Sequence, residues 1–107
     1  CMRAGGMPDG KYTLGGQNVE VSGIKCLLED GTIAGSVLTM NRAVKNFADN
    51  TSLPLWKIVS FASLIPAGVI GEADKIGSIE AGKLADIIIA DGEMNIKSVF
   101  INGIKKL

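Results

Sequence analysis

The sequence predicts an α+β fold: β hairpins, then two helices, then β hairpins. Three observations carry that expectation. Val19 and Val21 alternate with Asn18, Glu20 and Ser22, the period of a half-buried strand. Val37, Met40, Val44 and Phe47 recur at helical spacing. Near the carboxyl end, an apolar run at residues 85–90 and the dipeptide Asn102-Gly103 between two apolar stretches mark further strands and a tight hairpin.

The opening "CMRAGGMPDGKY" contains Met7-Pro8-Asp9-Gly10, a turn in which Pro presets φ and Gly supplies its positive value. Residues 11–29 read as strands, with hairpin turns at Gly15-Gly16 and Ser22-Gly23, and Glu29-Asp30-Gly31 closes this β section. Ser36 is the expected N-cap of the first helix, its hydroxyl free to accept a first-turn N–H. Arg42 and Lys45 lie off the apolar stripe, and Asp49-Asn50-Thr51-Ser52 ends the pattern. Pro54 suits the first turn of a second helix, where a missing N–H costs nothing. Leu55, Ile58, Val59 and Ala62 form its apolar face, Pro66 is expected to end or kink it, and residues 66–71 are expected to form one further short turn. In "GSIEAGKLADIIIADG" a Gly-flanked turn leads to a strand that reads as buried.

The 107 residues suffice for one compact domain. Eleven basic side chains balance eleven acidic ones, so no net field directs the chain to nucleic acid or to an anionic membrane. Lys105-Lys106 reads as a solvated strand end. Cys1 and Cys26 make no disulfide framework and no C-x-x-C, which fits a reduced, cytoplasmic setting. No apolar run is long enough to span a bilayer, and no signal peptide is visible. Histidine is absent, which removes the commonest metal ligand and the commonest general base. A chain opening on Cys1 rather than Met is expected to be a piece of a longer protein.

The stretch "DGTIAGSVLTMNRAV" places small residues at a helix entrance, where a polar connector is more usual. Ile33, Ala34 and Gly35 there fit either of two readings. One is a tight strand-to-helix entry in which Gly35 serves geometry alone. The other is a close approach of backbone to a ligand. Cys26 reads as a small core residue, Asp9 and Asp30 as turn residues, Asp86 as a strand-start residue, and Trp56 as packing. Arg3, Arg42 and the lysines sit in no phosphate loop of known spacing and read as surface charge.

Four blocks, "MRAGGMPDGKYTLGGQNV", "LEDGTIAGSVLTMNRAVKNF", "LPLWKIVSFASLIPAGVIG" and "GSIEAGKLADIIIAD", together resemble the carboxyl-terminal part of N-acetylglucosamine-6-phosphate deacetylases of the amidohydrolase superfamily. The resemblance covers essentially the whole chain. Its last block is shared by many amidohydrolases; the second is far more specific. The resemblance implies a (β/α)₈ barrel plus a small β-sandwich built from both chain ends. Residues 1–75 would end the barrel and residues 76–107 would supply sandwich strands.

The implied chemistry is amide hydrolysis by a metal-bound water, with an aspartate as acid and base. By the resemblance that aspartate lies immediately before Cys1, near Cys1 and Met2, and the metal ligands lie further upstream. The chain would therefore hold no catalytic residue and no metal ligand. A divalent metal, zinc or similar, is implied for the parent protein and not for this piece. Ile33, Ala34 and Gly35 are implied to contact the sugar, small so as not to intrude on it. The implied partners are N-acetylglucosamine 6-phosphate, the remainder of the same protein and further copies of it, with neither nucleic acid nor membrane. Two alternatives stand beside this: an amidohydrolase for another substrate, such as N-acetylgalactosamine 6-phosphate, or a non-catalytic α+β packing or dimerisation module.

Overall fold

The computed structural model describes residues 2–107, so Cys1, expected beside the catalytic aspartate, lies outside the described residues. Among the described residues, nine elements follow the predicted order of strands, helices and strands. They form two compact units, the first ending at Thr39 and the second running from Met40 to Leu107. No helix among the described residues is long and apolar enough to cross a membrane.

The first unit is an antiparallel meander of β1 (Gly10–Leu14), β2 (Gln17–Ser22) and β3 (Lys25–Leu28). Gly15 and Gly16, with φ of 59° and 85°, make the two-residue turn between β1 and β2. Such turns need positive φ at both positions to match the twist of the strands they join. The next turn sits one residue later than expected: Ser22 ends β2 and pairs with Lys25, leaving Gly23 and Ile24 at its centre. Both carboxylate oxygens of Asp9 accept the N–H of Gly23, at 3.0 and 2.9 Å. Alternation puts Val19 and Val21 in the core with Cys26 and Ala4, and Met2, Tyr12, Leu14, Leu28, Ala34 and Val37 pack around them. Cys26 is 2% exposed, the small core residue the sequence suggested.

Val37 thus belongs to this β unit and not to a helix. Ser36 does not cap the first helix either: its Oγ accepts the N–H of Leu38 at 3.1 Å, a local turn, and α1 (Met40–Asp49) begins four residues beyond Ser36. Serine readily satisfies a nearby backbone N–H in this way, competing with its use as a cap.

In the second unit α1 is followed by α2 (Leu55–Ser60) and α3 (Leu64–Val69). The second predicted helix is the short α2, and α3 stands where a further short turn was expected, beginning two residues before Pro66. The break between them falls at residues 61–63, where the side chain of Ser63 donates to the Val59 carbonyl at 2.8 Å. Pro66 neither ends nor kinks a helix; it occupies the first turn of α3, where no N–H is required. The rings of Phe47 and Phe61 meet edge to face at 5.6 Å, joining α1 to the end of α2. Ile58 and Ala67 are buried, whereas Trp56, expected to pack, is 74% exposed.

A second antiparallel sheet has the order β4 (Ile87–Ala90), β5 (Ile96–Ile101), β6 (Ile104–Lys105). Asn102 and Gly103 form its hairpin turn with φ of 51° and 75°. The loop entering β5 is organised by Asp91, and Met94, at φ 59°, offers its carbonyl to the side-chain amide of Asn41 on α1 at 3.0 Å. The strand that reads as buried is not: Ile88 is 63% exposed, because nothing among the described residues covers that face.

Candidate functional site

Residues 32–36 leave β3 through a tight turn and run back beside it. Asp30 Oδ1 accepts the N–H of Thr32 at 2.9 Å, and hydrogen bonding to Thr32 holds its carboxyl below the ordinary range. Leu28 N–H donates to the Thr32 carbonyl at 2.8 Å and Ala34 N–H to the Cys26 carbonyl at 2.9 Å, with Ile33 opposite Leu27. These flanking bonds turn the N–H and C=O of Ile33 away from β3. At the far end Met2 N–H donates to the Ser36 carbonyl at 2.9 Å. Among the described residues, the peptide groups of Ile33 and the N–H of Gly35 have no hydrogen-bond partner.

The three residues singled out from the sequence are therefore adjacent on one extended segment but face differently. Ile33 is 79% exposed. Ala34 packs against the core. A Cβ built on Gly35 would point at Met2 Sδ, 3.4 Å away, and Leu14 Cδ2, 3.7 Å away, which is ordinary contact. Gly35 does not have the positive φ that would require glycine. What the segment offers a ligand is the apolar side chain and peptide groups of Ile33 and the N–H of Gly35, a neutral surface suited to amide and hydroxyl groups.

The broad concavity of the first unit lies elsewhere, on the polar face of the sheet between Lys11, Glu20, Lys25 and Glu29, and none of the three residues lines it. Asp9 and Asp30 serve turns, and Asp86 accepts the N–H of Asn102 at 2.8 Å. From the sequence, Met2 is expected near the aspartate but not behind this segment, and Asp91 is missed. Met2 backs the segment, and no spacing announces it. Asp91 draws in the backbone N–H groups of Glu93 and Asn95 and the ammonium of Lys97, and the Asp-Gly pair at 91–92 was its available signal. A metal does not fit the described residues: no group of three or more His, Cys, Asp or Glu could hold one.

The chain belongs to the amidohydrolase family, whose family model, described as "Amidohydrolase family", matches residues 19–105. It is similar to the N-acetylglucosamine-6-phosphate deacetylase of Bacillus subtilis, 39% identical over 89% of this chain and 24% of that protein. It is equally similar in extent to the N-acetylgalactosamine-6-phosphate deacetylase of Escherichia coli O157:H7, 35% identical over 96% of this chain and 27% of that protein. Among solved structures, the N-acetylglucosamine-6-phosphate deacetylase from Pasteurella multocida matches with a TM-score of 0.81 at 32% identity, over 90% of this chain and 25% of that one. The chain thus spans about a quarter of the length of each of these three proteins.

Proposed function

We propose that the whole protein hydrolyses the acetamide of N-acetylglucosamine 6-phosphate to glucosamine 6-phosphate and acetate, and that this chain supplies part of its substrate-binding wall. In this reading residues 1–75 complete a barrel and residues 76–107 contribute to a small β-sandwich. The observation that carries it is the segment at Ile33, Ala34 and Gly35, in a chain similar along nearly its whole length to such deacetylases. Fixed at both ends, the segment keeps the peptide groups of Ile33 turned outward, matched to a sugar bearing an amide and hydroxyls. Donors placed before the ligand arrives bind without an ordering cost.

The hydrolytic step belongs to residues outside this chain. An aspartate immediately before Cys1 is assigned the acid–base role, and a divalent metal, zinc or similar, would supply polarisation of the amide from ligands in the remainder of the protein. The apolar side chains left exposed on α1 and α2 are assigned to contact with that remainder or with a second copy in a homo-oligomer.

A second reading, hydrolysis of the galactosamine epimer, is favoured by the Escherichia coli O157:H7 relative. The epimers differ at one hydroxyl, so acetate release from each of the two 6-phosphates by the whole protein decides between them. Release from neither, with divalent metal supplied, would overturn both readings.

A further inference from the structure

The substrate-facing segment is held from two sides by different parts of the chain. On one side are the Thr32 and Ala34 bonds to β3. On the other stands Met2, with its N–H on the Ser36 carbonyl and its side chain, beside that of Leu14, behind Gly35. Met2 is itself held firmly: Gly5 N–H donates to its carbonyl at 2.9 Å, Met7 N–H donates to the Ala4 carbonyl at 3.1 Å, and Ala4 is buried in the core.

We propose that Met2 is the positioning residue of the Ile33-to-Gly35 segment: its side chain sets how deeply Gly35 sits, and so fixes where the Ile33 peptide groups point. This rests on the substrate contact proposed above. The geometry supports it directly. The atoms nearest the position a Gly35 Cβ would take are Met2 Sδ at 3.4 Å and Met2 Cβ at 3.5 Å, with Leu14 Cδ2 next at 3.7 Å. Close-packed interiors leave little slack, so shortening Met2 opens a gap into which the glycine backbone can relax. A glycine has no side chain to hold it back. An inward shift of Gly35 carries Ile33 with it, and hydrogen bonds that are made equally in the ground and transition states weaken as their distance and angle depart from the ideal, which lowers substrate affinity.

The role separates from mere core packing in a kinetic comparison on the whole protein. Met2→Ala is expected to raise KM for N-acetylglucosamine 6-phosphate on the order of tenfold while kcat changes less than about twofold. Met2→Leu conserves volume and should restore the wild-type KM. Val19→Ala truncates the same core in the middle of β2, opposite Leu28, and should lower thermal stability with KM unchanged. If Met2→Ala does not fold, Met2→Val carries the same comparison with a smaller gap. Unchanged KM in the folded Met2 variants, or an equal rise for Val19→Ala, overturns the proposal and leaves the deacetylase reading standing. No acetate release by the wild-type protein with divalent metal supplied overturns that reading, and this one with it.

Discussion

The carboxylate of Asp86 accepts the backbone N–H of Asn102 at 2.8 Å, while Gly103 N–H donates to the neighbouring Ala85 carbonyl at 3.0 Å. The entrance of β4 thus holds the turn between β5 and β6 in place. Asp86→Ala is expected to cost about 1 kcal/mol, since the bond is charge-assisted but exposed. Asp86→Asn retains an acceptor and should cost less. The melting temperatures of the two variants check the order; an Asp86→Ala protein as stable as wild type would mean the turn holds itself.

Gly77 and Gly35 make a matched pair. At Gly77, φ is 94° and an added Cβ would lie 2.9 Å from Leu64 Cα and 3.0 Å from Ala67 Cβ, so both conformation and space exclude a side chain. Gly77→Ala is expected to destabilise by about 2–4 kcal/mol. Gly35→Ala meets only ordinary contacts and should change stability by less than about 1 kcal/mol. Denaturant midpoints compare them, and equal losses at the two sites would refute the packing described here.

Asp91 makes a pH-dependent loop. Hydrogen bonds from the side chain and backbone of Asn95, then Lys97 and the N–H of Glu93, hold its carboxyl well below the ordinary 3.8. A depressed carboxyl stabilises the fold fully above its unfolded value, and that contribution is lost as pH falls through the lower folded value. The Asn95 amide resonance should therefore titrate with a midpoint below pH 3.8 and lose the transition in Asp91→Asn. A midpoint at or above that value would contradict the arrangement.

Met40, Leu55, Trp56, Val59 and Ile88 all present exposed apolar side chains. The 107-residue chain studied alone is expected to self-associate through such surface. Light scattering with a concentration series reads this directly, and a monodisperse monomer with cooperative unfolding would count against it.

Much of the β structure was legible because tight hairpins leave a chemical mark. Gly15-Gly16 and Asn102-Gly103 are pairs that tolerate positive φ, and both became two-residue turns. The helix start was misplaced because Val37 and Met40 are three apart, a spacing that mimics a helix when a residue from the β core happens to precede one. Trp56 and Ile88 were misjudged for a different reason. An apolar pattern says that a face is to be covered, not that the covering atoms are in the same stretch of chain. The candidate segment came from resemblance; the residues alone left Gly35 open between geometry and ligand. The placement of Met2 behind Gly35 was not legible, because the two are more than thirty residues apart in sequence and periodicity carries no signal over that distance.

The burial of Cys26 has a practical consequence. Its thiol lies among Ala4, Val19 and Val21, so a sulfhydryl reagent reaches it only when the β1–β2–β3 meander opens. The rate at which that one peptide acquires a label, read by mass spectrometry, is a built-in clock for breathing of the unit that carries Ile33 and Gly35. Slowing of the clock by a sugar phosphate would report ligand capture without any catalytic turnover.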